Sequence, residues 1–234
     1  APAYDPNDFV LGMSADKWNN LNNDSRKPLY NRFQASLVPG SSFKPITAVI
    51  GLDTKKIDPA EDKNITGLSW KKNGSWGNYS ITRVSDYGGP ANLLNALVYS
   101  DNIYFAKAAL DIGKDTFKDK LNSFGFSEKV PFEYPLYNSQ YSSDKDFKTE
   151  VQLADSGYGQ GEILVNPVHL ASLYTMFENE GNMLTPYLIY KGDTDYKVWK
   201  YEAVSKDSAD TVLQDLIQVV ENPEVQYQIG RAHV

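Results

Sequence analysis

Apolar residues recur at helical spacing through most of the chain. After Pro39-Gly40, Ile46, Val49, Ile50 and Leu52 mark one face of a helix that stops near Asp53. Residues 92–100 and 102–113 repeat the period, with a break at Ser100 and an end on Gly113, a residue suited to closing a helix. Residues 114–125 predict a shorter helix, and 147–161 one that dissolves into glycine. Residues 166–181 predict a long amphipathic helix with Pro167 in its first turn and Gly181 past its end. A last helix spans 206–221, where Asp and Ser near the start fit capping. Between Ile65 and Val84, Asn73-Gly74 separates two aromatic-rich runs and signals a hairpin. Residues 1–38 are irregular, with short helical pieces expected at 13–21 and 25–33, and 131–143 is a loop. No repeat and no linker divides this helix-rich pattern.

Composition changes that picture little. The 234 residues are 41% hydrophobic and 13% aromatic, enough for a sizeable core. A formal charge of -7 argues against a nucleic-acid or anionic-membrane surface. Cysteine is absent, which excludes disulfides, thiol catalysis and zinc–cysteine sites. No apolar run approaches the ~18 residues of a membrane span. The opening Ala1 reads as the middle of a loop, so the chain is expected to be a piece of a longer protein. At the other end, Ile229–Val234 back-translates to a widely used sequencing-adapter oligonucleotide, and Gln228 fits the same frame. Residues 1–227 are therefore expected to be a partial domain and 228–234 read-through into adapter.

Candidate chemistry begins with Ser-x-x-Lys, which occurs four times: Ser14/Lys17, Ser41/Lys44, Ser69/Lys72 and Ser142/Lys145. Only Ser41/Lys44 follows a Pro-Gly turn and enters an apolar helix. There the serine has free backbone N–H groups and the positive end of the helix beside it. Lys44, one turn on, lies on the same face, and burial would make its neutral amine a base for the hydroxyl. On its own, the motif reads better as a capped helix with a surface lysine. Ser100-Asp101-Asn102 is a second signal, at the junction of two helical patterns. A hydroxyl and an amide there suit proton relay and substrate binding, although a plain helix cap is the default.

The two signals together pair as Ser-x-x-Lys and Ser-Asp-Asn do in penicillin-binding proteins and class A β-lactamases. The stretches "PGSSFKP", "YSDNIYFA" and "LADSGYGQGEILVNPV" closely resemble the transpeptidase domain of class B penicillin-binding proteins, and the low-affinity Gram-positive group in particular. The resemblance runs from Ala1 to about Glu224 and implies an α+β penicillin-binding/β-lactamase-like fold, represented here mainly by its helical lobe. It implies that Ser41 attacks the D-Ala–D-Ala bond of a peptidoglycan stem peptide, with Lys44 as general base. Ser100 would pass a proton to the leaving amine, and Asn102 would bind the acyl amide. An amine from a neighbouring stem would resolve the acyl-enzyme, and β-lactams would stall it. Arg83 and Val84 fall where the subgroup's pattern nears the cleft mouth. The resemblance further implies an N-terminal membrane anchor outside this chain, a place on the outer face of the membrane, and no metal or cofactor.

The family's third element, Lys-[Ser/Thr]-Gly, is absent from the chain. With it would go a sheet strand, a carboxylate grip and one oxyanion donor, so these 234 residues alone are expected to be poorly stable and inactive. Two other readings stay open. A β-lactamase or β-lactam sensor shares both motifs, and Glu162 with Asn166 imitates a deacylating glutamate. A cell-wall-binding module would use Trp70, Trp76, Tyr79 and Tyr87 to stack on glycan. His169 has no evident catalytic partner in the sequence.

Overall fold

A computed structural model describes residues 3–190, 192 and 196–222, so the adapter-like segment lies outside the described residues. Two short helices, α1 (Asn7–Leu11) and α2 (Ala15–Asn23), bury no residue. The 25–33 stretch forms turns instead of the expected helix. Lys27, which precedes Pro28, sits outside the helical region at φ +53, and the proline ring disfavours the helical conformation in the residue before it. A 3₁₀ turn, Gly40–Phe43, runs straight into α3 (Lys44–Asp53). Then come α4 (Leu93–Val98), α5 (Asn102–Ile112), α6 (Lys114–Ser123), α7 (Glu150–Ser156), α8 (Pro167–Tyr174) and α9 (Lys206–Glu221).

Helix α5 is the axle. It buries Ile103, Tyr104, Phe105, Ala106, Ala108, Ala109 and Ile112, apolar almost all round, as a helix enclosed by others must be. It packs against α3 and α7, and α9 covers α3 and α4. Each large apolar side chain sealed in this way contributes about 1.5–3 kcal/mol. Gly157, just past α7, lets that helix come close: a Cβ there would stand 2.2 Å from the Phe105 carbonyl oxygen.

Strand is scarce among the described residues, and the whole is a helix-rich α+β arrangement. The expected hairpin pairs β1 (Ser69–Trp70) with β2 (Ile81–Thr82), antiparallel, with Ser69 opposite Thr82. Its tip is a 3₁₀ turn, Gly74–Trp76, in which the Asn73 side chain accepts from the Ser75 N–H. A second pair, β3 (Met183–Leu184) with β4 (Val198–Lys200), has no clear sequence signal. It explains why α8 is shorter than expected. Thr175 turns its hydroxyl onto the Ser172 carbonyl at 2.6 Å and accepts from the Leu184 N–H at 2.8 Å. Thr175–Phe177 thereby tightens into a 3₁₀ turn.

His169 is fully buried in this region. Its Nε2 lies 2.9 Å from the Phe124 carbonyl, which can only accept, so Nδ1 accepts from the Ser139 hydroxyl at 2.7 Å. Burial pulls its pKa down to about 4 and keeps the ring neutral. Its position is that of a core bridge.

Candidate active site

The 3₁₀ turn at Gly40 delivers Ser41 to the surface while Lys44, three residues on, points inward and is 2% exposed. The turn is clamped from outside: the Gly40 N–H donates to the Gly159 carbonyl at 3.0 Å. From the α4–α5 junction comes Ser100. Its backbone is in the left-handed region, φ +54, which costs a non-glycine residue about 1 kcal/mol or more and persists only where surroundings enforce it. Helix capping falls to Asp101, whose carboxylate accepts from the Ile103 and Tyr104 N–H groups at 2.8 and 3.2 Å. Ser100 is thus left free of capping.

The three groups close a ring. Lys44 Nζ lies 3.0 Å from Ser41 Oγ, 2.7 Å from Ser100 Oγ and 2.6 Å from the Ser100 carbonyl oxygen. The two serine hydroxyls are 2.9 Å apart. A neutral amine has two N–H donors and one lone pair. It can donate to both Ser100 oxygens and accept from the Ser41 hydroxyl, while Ser100 Oγ–H points to Ser41 Oγ. Burial brings the Lys44 pKa from 10.5 to about 7, with the Asp101 carboxylate pulling the other way. Near neutral pH the amine can therefore take the serine proton.

Asn102 opens α5, and its amide donates to the Thr82 carbonyl at 2.9 Å. That bond ties the junction to the hairpin, beside the nucleophile. A polar cavity of about 390 Å³ is lined by Ser41, Thr82, Asn102, Asp155, Tyr158 and Gln160, among others. Asp155 is the charged member of this wall. It accepts from the Tyr79 hydroxyl at 2.6 Å and from Tyr158 at 2.5 Å, and burial together with Asp155 raises both phenol pKa values. Both tyrosines therefore remain donors. These residues come from the hairpin, from α7 and from the "GYGQG" stretch, which sequence reasoning treats as a plain turn. The usable signal is the left-handed glycines Gly159 and Gly161 in a loop that touches the Gly40 turn. A larger apolar cavity of about 630 Å³, between Phe33 and α8, contains none of these groups.

Arg83 and Val84 are not brought to the cavity. Arg83 turns inward, and its side chain is 1% exposed in an ion pair with Asp101 at 2.7 Å. Val84 points outward, 80% exposed. Glu162 is occupied elsewhere, accepting from the Ser143 N–H and hydroxyl at 2.8 Å and from Ser142 at 3.1 Å. The hairpin aromatics pack on their own neighbours. Trp76 is buried edge-on to Trp70 at 5.3 Å, and Tyr87 stacks on Tyr99 at 4.5 Å.

Comparison with known proteins identifies the family. The family model of the penicillin-binding protein transpeptidase domain matches residues 1–232. Penicillin-binding protein 3 of Bacillus subtilis is 45% identical over 222 residues, 95% of this chain and 33% of its own. The peptidoglycan D,D-transpeptidase MrdA of Escherichia coli is 28% identical over 208 residues, covering 84% and 32%. The chain thus spans about a third of the length of these relatives. Among solved structures, Pseudomonas aeruginosa PBP2 in complex with WCK 5153 superposes with a TM-score of 0.79 at 25% identity, over 95% of this chain and 53% of that one. The ceftriaxone acyl-enzyme complex of penicillin-binding protein A from M. tuberculosis gives 0.74 at 22%, covering 94% and 52%. With both serine motifs on one lysine and the family model matching nearly end to end, the chain belongs to the penicillin-binding protein transpeptidase domain family.

Proposed function

We propose that this chain carries the nucleophile and base of a peptidoglycan D,D-transpeptidase. The observation that carries the reading is a buried Lys44 amine within 3.0 Å of both the Ser41 and Ser100 hydroxyls. Ser41 Oγ attacks the carbonyl carbon between the two D-Ala residues of a stem peptide, and its proton passes to Lys44. Ser100 relays a proton to the departing D-Ala amine, leaving an ester on Ser41. Asn102 holds the acyl amide, and the Ser41 N–H, in the first turn, is one oxyanion donor. The amine of a second stem then attacks the ester, forms the cross-link and returns the proton to Ser41. A β-lactam mimics the dipeptide. Its opened ring keeps the leaving group tethered, so the ester persists. On this reading the chain works on the outer face of the cytoplasmic membrane, where stem peptides are joined.

The test is labelling of the full-length protein with a fluorescent penicillin. Wild type should retain the label covalently for many hours, and Ser41→Ala should not label at all. Labelling of the Ser41→Ala protein would sink the assignment. Rapid loss of label from wild type would favour the hydrolase alternative, against which the engagement of Glu162 by Ser142 and Ser143 already speaks.

A further inference from the structure

Arg83 takes no part in the steps above, yet it grips a neighbour of the site. It is 5% exposed. Its guanidinium donates to Asp101 at 2.7 Å, to Asp86 at 2.8 Å and to the Gly67 carbonyl at 2.8 Å, and stacks over the Tyr87 ring at 5.0 Å. Asp101 is 1% exposed and lies between Ser100 and Asn102 in the chain. One of its oxygens caps α5, and the other receives Arg83 and the Tyr87 hydroxyl, the latter at 3.0 Å.

A buried carboxylate beside an amine that has to work uncharged is a difficulty. An uncompensated anion in low dielectric favours the ammonium form of any lysine nearby. The groups facing Lys44 can be taken element by element. Its own turn brings Ser41, and the α4–α5 junction brings Ser100 and Asp101. Behind Asp101, the segment after β2 brings Arg83, Asp86 and Tyr87. Across the cavity stand Tyr79, Asp155 and Tyr158. Of these, Asp101 acts on Lys44 electrostatically, in the direction that retains the proton. Arg83 is the cation paired with it.

Resting on the acyl-transfer reading, we propose that Arg83 is a positioning residue of that site: by pairing with Asp101 it screens the Lys44 amine from the carboxylate and holds the Ser100 turn against it. The same bond serves both tasks. Asp101 fixed by Arg83 on one side and by two helix N–H groups on the other leaves the preceding residue little choice, and Ser100 is held left-handed with its carbonyl and hydroxyl turned to Lys44. Asp86 is no substitute for Asp101, being half-exposed and paired with the opposite edge of the guanidinium.

The experiment compares pH profiles of the acylation rate constant, measured with a fluorescent penicillin on the full-length protein. The acid limb of the profile reports deprotonation of the base. Arg83→Gln should move that limb up by about one pH unit, so that acylation falls roughly tenfold at pH 6 and far less at pH 9. Asp101→Asn keeps the helix cap, because Asn caps as well as Asp, and should move the limb down. The double variant should return it towards wild type. Removing one partner of a buried pair is destabilising, so Tyr87→Phe serves as a milder variant. It removes one donor from Asp101, leaves Arg83 in place and should move the limb up by a few tenths of a unit. A purely structural role for Arg83 predicts uniform loss at every pH with the limb unmoved, or shifts of the same sign in Arg83→Gln and Asp101→Asn. Either result would overturn the inference while leaving the function standing. A wild type that never labels would overturn both.

Discussion

Replacing Lys44 by Met should make the protein more stable and slow its acylation severely. Burial brings the Lys44 amine from 10.5 to about 7 in the fold. One unit corresponds to about 1.4 kcal/mol between protonation states, so carrying the lysine into the fold costs up to about 5 kcal/mol. Below pH 7 both folded and unfolded chains hold the proton, and the cost is present in full. Between pH 7 and 10.5 the unfolded chain still binds a proton that the folded chain has released, so wild-type stability rises with pH across that window. Methionine keeps the apolar stem and removes the charge. Against this, the Ser100 carbonyl and the two hydroxyls lose a partner, at about 1–3 kcal/mol. The net gain below pH 7 should be about 2–4 kcal/mol, or roughly 4–16 °C in Tm for a domain of this size. Denaturation of both full-length proteins from pH 6 to 10 should show the difference shrinking as pH rises. Fluorescent-penicillin acylation should fall by about 10²–10⁴-fold. A variant less stable than wild type, or a gap that stays flat with pH, would refute the reasoning.

Two further perturbations probe the frame around the site. Gly159 sits at φ +76, and a Cβ there would lie 2.1 Å from the Gly40 carbonyl oxygen, in the turn that carries Ser41. Gly159→Ala should cost about 2–4 kcal/mol in denaturant unfolding and slow acylation at least roughly tenfold. Gly161→Ala meets nothing nearer than 3.5 Å, and should cost only about 1–2 kcal/mol for its backbone; equal losses in the two would show that the collision with Gly40 is not the cause. His169, neutral in the fold with its pKa near 4 against the usual 6.5, should make the protein acid-sensitive. The unfolded chain binds a proton below pH 6.5 that the folded one refuses, so up to about 3 kcal/mol should be lost between pH 6.5 and 4. His169→Gln, measured by urea unfolding across that range, should lack that part of the slope.

Much of the frame is legible in the sequence because its signals are local. Periodicity marks α3, α5 and α9; Asp101 caps α5 from within the Ser-Asp-Asn signal, and Ser205, one residue ahead of the expected helix, caps α9. The four Ser-x-x-Lys pairs sort by context as well. Ser14 caps α2 by accepting from the Lys17 N–H at 3.2 Å, and Ser142 serves Glu162. What the sequence hides is set by contacts between distant residues. Ser100 reaches Lys44 across 56 positions, and its left-handed backbone has no local signature. Arg83 is placed near the cleft mouth only by the family's pattern, and its inward turn onto the buried Asp101, 18 residues on, has no local signal. Asp155 and its two tyrosines join the cavity wall from α7, the loop after it and the hairpin; Gly157 seats that loop against α5 and Gly159 against the Gly40 turn.

The alternation at the end of the hairpin has a consequence for how this domain can change over generations. The ladder continues past β2, where the Arg83 N–H donates to the Leu68 carbonyl at 3.1 Å, so Thr82 and Val84 share one face and Arg83 takes the other. A change at position 83 leaves the buried Asp101 carboxylate without its cation, which is destabilising. One residue on, an 80%-exposed valine accepts almost any replacement within about 0.5 kcal/mol, on the face of the cavity residue Thr82. Position 84 therefore offers a nearly free adjustment beside the cavity, one step from a side chain locked in a buried ion pair.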